Sequence, residues 1–180
     1  MFLAIVILST GCATINHESI IKVDKLEKSD FCKLNGRYSN NPSGGNGKIL
    51  RSLNKREYQP KSLWANLNPQ QMYTVTELNN QTVEIEFVTE KEAILTLYQG
   101  DSLIDKQKIR GKFKDSYFYR RPFPLILPFV PVLFGRKAHC LRIGKSDDAL
   151  VVDFKWNFWM YFLIAGLSEK GQNSLVFRKK

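Results

Sequence analysis

The stretch TVEIEFV, residues 82–88, places Val83, Ile85 and Phe87 on every second position, with Glu84 and Glu86 between them. Successive side chains of a strand point to opposite faces, so this spacing predicts a strand with one apolar and one solvated face. The same period returns at LVVDFKW, where Leu150, Val152, Phe154 and Trp156 alternate with Val151, Asp153 and Lys155. Turn clusters separate such runs at residues 79–81, 89–92, 99–101, 114–115 and 144–148. Working outward from them, we expect strands near 72–78, 82–88, 93–99, 102–113, 116–121, 136–143, 149–156 and 174–178. Connections this short join antiparallel neighbours. The expected fold is therefore mainly β. It is an antiparallel meander of about eight strands, built as a lipocalin-like barrel or a two-layer sandwich. One short helix is expected at 60–68, with Pro60 in its first turn and Leu63, Trp64 and Leu67 on a shared face. Residues 34–47 read as one short strand followed by a Gly/Asn/Ser loop.

The N-terminus has a different character. Residues 2–8, FLAIVIL, are an unbroken apolar run, and Ser9, Thr10 and Gly11 extend the uncharged stretch up to Cys12. A bilayer span needs roughly 20 apolar residues, whereas the apolar core of a secretory signal has about 7–15 and ends at small residues. Ser9-Thr10-Gly11-Cys12, followed by Ala13, resembles the cleavage motif of bacterial lipoprotein precursors. The body likewise resembles small all-β envelope lipoproteins of unknown function. Ser9 stands where that family usually has Leu, and no Lys or Arg precedes it. The resemblance implies cleavage before Cys12 and lipid, palmitate among its acyl chains, on that residue. It also implies anchoring in the bacterial envelope. Ala13, standing where some bacteria read Asp as a retention signal, implies the outer membrane, on its periplasmic or surface face. The expected organisation is a signal peptide at 1–11, the lipidated Cys12 and a tether at 12–31, and a single β domain at 32–180. A flexible chain of 18 residues reaches roughly 25 Å, which would keep the body close to the bilayer. With Cys12 acylated, Cys32 and Cys140 remain as a candidate disulfide for an oxidising compartment.

The formal net charge is +10, and it is not spread evenly. Eleven basic residues fall between Lys106 and Lys145, opposed only by Asp115, while the rest of the chain balances. Within this segment Lys106, Lys108, Arg110, Lys112 and Lys114 take every second position, so a strand projects all five from one face. Five like charges in a row repel one another unless something anionic lies alongside. The row reads either as a solvated outer face or as an anion-binding stripe. In an envelope protein its partner would be anionic lipid or an acidic envelope protein, and not nucleic acid.

Two apolar segments interrupt the pattern. Residues 122–134 carry no charge and four of the seven prolines, and are bracketed by Arg120, Arg121, Arg136 and Lys137. Proline removes ladder donors, so this segment is expected as a loop. Residues 156–167 are also uncharged and hold two of the three tryptophans. In a meander both would emerge at one end of the body. Three roles stay open for them: core that closes the barrel, contact with the membrane interface, or the mouth of an apolar pocket or partner site. The residues that would make membrane or ligand contact are Arg120, Arg121, Phe123, Phe129, Phe134, Arg136, Lys137, Trp156 and Trp159.

No constellation of catalytic residues stands out. The chain has no CxxC, no HExxH and no glycine-rich phosphate loop, and its only histidines are His17 and His139. Glu84, Glu86 and Asp153 alternate with apolar residues and are expected on a solvated face. No cofactor and no metal site are expected. The sequence thus points to a non-enzymatic, lipid-anchored envelope protein with a binding or structural role. The alternative is a barrel that carries an apolar or lipid ligand.

Overall fold

The computed structural model describes residues 21–51, 62–68, 80–120, 125–126, 133–162 and 165–180. Ten strands form one antiparallel sheet: β1 (Gly36–Ser39), β2 (Gly44–Arg51), β3 (Gln81–Thr89), β4 (Glu92–Gln99), β5 (Ser102–Lys114), β6 (Tyr117–Arg120), β7 (Leu125–Ile126), β8 (Leu133–Ser146), β9 (Ala149–Phe162) and β10 (Ala165–Arg178). Their order in the sheet is β1-β3-β4-β5-β6-β8-β9-β10-β2, with β7 paired to β8 off this path.

The sheet curls back on itself. Its terminal strands β1 and β2 are consecutive in the chain, and one pairs with β3 while the other pairs with β10. They are two halves of one bent run that joins the sheet's edges. A bridge between Tyr38 and Lys179 and a hydrogen bond from Lys180 N to Arg37 O (2.8 Å) tie β1 to the end of β10. The architecture is the expected mainly β, barrel-like meander with one short α-helix.

Alternation decides which face turns inward. Val83, Ile85 and Phe87 of β3, Ala93, Leu95 and Leu97 of β4, and Ile109 and Phe113 of β5 are all buried in one core. Phe118, Leu141, Ile143, Leu150, Val152, Leu175 and Phe177 continue that core around the sheet. Two helical pieces add to this core. The α-helix α1 (Leu63–Leu67) contributes Leu63, Trp64 and Leu67, and the 3-10 helix Lys28–Leu34 contributes Leu34. Ser62 caps α1 by accepting from Ala65 N at 3.2 Å. Asn40, at the β1–β2 bend, accepts from Leu63 N (2.8 Å) on its carbonyl and from Trp64 N (2.9 Å) on Oδ1. The helix thus hangs from the bend that joins the sheet's edges.

Several expectations change. The strand expected at 72–78 lies outside the described residues. Residues 44–51, of which the first four were expected to end a glycine-rich loop, form β2, because β10 offers them a full edge to pair with. The apolar segment 156–167, expected like 122–134 to leave the sheet, instead continues it where described: residues 156–162 end β9 and 165–167 begin β10, with Phe162 paired to Ala165. The tether does not run to residue 31. Asp24 N donates to Lys145 O (2.8 Å), Leu26 is buried, and Phe31 packs against Phe87 at 6.5 Å between ring centroids. The apolar spacing Leu26, Phe31, Leu34 is what draws this segment in. Cys32 and Cys140 are not joined by a disulfide; Cys32 is exposed and Cys140 half-buried.

Candidate functional site

The basic row on β5 is the most distinctive described surface. Lys106, Lys108, Arg110, Lys112 and Lys114 are all exposed, while Ile109 and Phe113 between them are buried. Eight residue steps make the row about 26 Å long. Strand β5 changes partners along it, pairing with β4 through Arg110 and with β6 from Gly111 onward. A Cβ at Gly111 would collide with Tyr119 O and sit 2.6 Å from Phe118 Cζ, so only glycine lets β6 approach there.

Register brings one residue to the row that sequence reading missed. Glu92 of β4 stands opposite Arg110 and pairs with Lys108 (2.6 Å) and Arg110 (3.6 Å). The Lys108 hydrogen bond holds its carboxyl below the usual range, against the opposing effect of desolvation. A hairpin around Gly100-Asp101 carries the signal, since it sets Glu92 across from Arg110. Lys114 meets Asp115 at 3.3 Å. Exposed pairs of this kind contribute little and hold no cation permanently. Five cations against these two carboxylates leave the row basic. Glu84 and Glu86 are exposed on β3, two strands and about 10 Å away. There Tyr98 Oη donates to Glu84 Oε2 (3.0 Å), and the Arg37 guanidinium lies 4.4 Å from the Tyr98 ring centroid.

The N-terminal segment meets the body at one end of the row. Ser116, two residues past Lys114, accepts from Leu26 N at 3.0 Å and donates to Leu26 O at 3.3 Å. Asp24 reaches Lys145, near the β8–β9 turn, at the same end. The described parts of the apolar segments lie at the other end. Leu133 pairs with Phe162, Phe134 with Tyr161 and Arg136 with Trp159, while Leu125 and Ile126 of β7 pair with Lys137 and Arg136. The paired ends of both apolar segments therefore meet at one end, as the meander requires.

Individual residues of the expected contact set fare differently. Arg120 does not face outward: its Nη1 donates to Leu67 O at the C-terminal end of α1, and desolvation lowers its pKa. Parity explains this, because Arg120 lies two residues from the buried Phe118. Trp156 is also turned inward. It packs against the core, stacks on Phe154 (5.7 Å) and donates Nε1–H to Glu169 Oε1 at 3.0 Å. Phe134, Arg136, Lys137 and Trp159 have the strand positions given above. Arg121, Phe123, Phe129 and Cys12 lie outside the described residues.

Asp153 is not solvated. It accepts from Arg142 Nε (2.7 Å) and Ser174 Oγ (2.5 Å) across three adjacent strands, with all three residues buried. Arg142 lies 4.2 Å from the Tyr117 ring centroid. The group ties β8, β9 and β10 together and is structural. Among the described residues no group of His, Cys, Asp and Glu is placed to hold a metal ion, and no helix is long and apolar enough to cross a membrane. No protein-family model, curated protein or solved structure matches the chain at a significant level.

Proposed function

We propose that this is a lipid-anchored bacterial envelope protein, non-enzymatic, that holds a barrel-like β-body against an anionic surface. The observation that carries the reading is the row of five exposed cations on β5, aligned on one face beside the point where the N-terminal segment meets the body. Like charges at about 6.6 Å spacing are held together at some cost, and an anionic surface relieves it. Leu63, Trp64 and Leu67 of α1 and Leu34 of the 3-10 helix are buried against the sheet's inward side chains, where a lipid or apolar-ligand carrier would need room, which favours the surface-binding reading over the carrier. The likeness of Ser9-Thr10-Gly11-Cys12 to a lipoprotein processing site supplies the anchor. Growth with a clickable fatty-acid analogue tests it. The protein is expected to take up label and Cys12→Ala to lose it; label that persists in Cys12→Ala refutes the anchor.

A further inference from the structure

We infer that the anchored protein lies side-on, with the β5 stripe on the anionic phospholipid leaflet that holds its own lipid and β10 on the side turned away from it. This rests on the lipid-anchored reading and goes beyond it by assigning the docking face, its occupant and the orientation.

Chain length sets the first constraint. Asp24 is fixed to Lys145 and lies twelve residue steps from Cys12. Twelve steps span at most about 42 Å fully extended. From Lys145 to Leu133, where β8 meets the end of β9, is twelve steps or about 40 Å along the strand. Only a fully stretched chain would let the body stand on its apolar end over the leaflet holding Cys12. The near end of the stripe needs no such stretch, because Lys114 lies two residues from Ser116, which holds Leu26.

Charge sets the second. The five cations lie on one exposed face of one strand, so a flat anionic surface meets all of them together. Glu84 and Glu86, about 10 Å to the side, lie beyond a Debye length of about 8 Å at physiological ionic strength, so their repulsion is largely screened. Glu92 and Asp115 pair with stripe cations at the surface and are readily exchanged for lipid phosphates. Sheet order then sets the orientation. Strand β10 is four positions from β5 around the curled sheet, so a body resting on β5 holds β10 uppermost.

The test uses full-length lipidated protein in phosphatidylglycerol–phosphatidylcholine vesicles doped with a gadolinium-chelating lipid. Cys32 and Cys140 are replaced by Ala, and one nitroxide is attached in each of Lys106→Cys, Lys112→Cys and Lys170→Cys. Similar, strong relaxation at 106 and 112, at least threefold greater than at 170 on β10, is the expected result. Relaxation at 170 equal to that at 112 overturns the orientation, as does relaxation at 112 without relaxation at 106, which means the body stands on its tethered end. Protein that pellets with vesicles but shows no relaxation at 106 or 112 refutes the docking and leaves the anchor standing. Protein that stays in the supernatant refutes the anchor, and the inference with it.

Discussion

Tyr38 is 1% exposed, and its hydroxyl donates to Leu34 O at 2.9 Å. It joins the 3-10 helix to β1 where the sheet closes. Burial, with a contribution from Asp148, pushes its pKa up to about 12 from an ordinary value near 10. The neutral phenol is the form the fold prefers, so this contribution to stability is complete below about pH 10 and is lost as pH rises toward 12. It amounts to about 2–3 kcal/mol. Chemical denaturation of the protein and of Tyr38→Phe between pH 9 and 12 checks this. The variant is expected to be about 1 kcal/mol less stable at pH 9, from the lost hydrogen bond, and to fall less steeply. Parallel curves over that window would contradict the assignment. Other residues show where sequence reading succeeds and fails at this scale. Alternation correctly placed the stripe outward, because basic residues take every second position in KQKIRGKFK, with Ile109 and Phe113 on the other parity. Reading charge as a sign of solvent misplaces Arg120 and Asp153. Arg120 finds a helix carbonyl inside and Asp153 finds Arg142 and Ser174, and neither partner is visible along the chain.

Among the elements, β5 is the one on which the fold and the site both depend. It is shared by the β3–β4 side and the β6–β8 side of the sheet, and Gly111 is the point of exchange. Gly111→Ala forces a Cβ against Tyr119 O and the Phe118 ring, so it is expected to cost about 1–3 kcal/mol and several degrees in thermal midpoint. An unchanged midpoint would show that β6 can shift freely at this position. The hairpins were legible only in part. Short polar turns announced β3, β4 and the start of β9. Residues 156–162 hid their strand character because large apolar side chains occupy both parities and leave no visible period. What extends the strands is register. Ser146 pairs with Ala149 around a two-residue turn, and the same register then carries Leu133 to Phe162. In the same way, β2 is glycine-rich and has no alternation of its own, and it takes its conformation from the edge of β10.

At the scale of the whole molecule, charge and shape are polarised. The net excess of ten positive charges lies in one segment, and the fold displays five of those residues along one strand beside the docked N-terminal segment. The apolar strand ends gather about 40 Å away. Fold class and the meander's two-ended layout could be read from the sequence, because both come from strand alternation and short connections. The opposition of the two ends could not be read, because it depends on residues 24–31 docking near Lys145 and Ser116 instead of hanging free. A protein built this way should bind an anionic surface through its body even without the lipid. The direct measurement is co-sedimentation of a form lacking residues 1–12 with phosphatidylglycerol-containing and purely phosphatidylcholine vesicles at low and physiological salt. The account predicts binding to the anionic vesicles only, weakened by salt and reduced at least tenfold in Lys106→Glu/Lys112→Glu. Equal, negligible binding to both kinds of vesicle would contradict it.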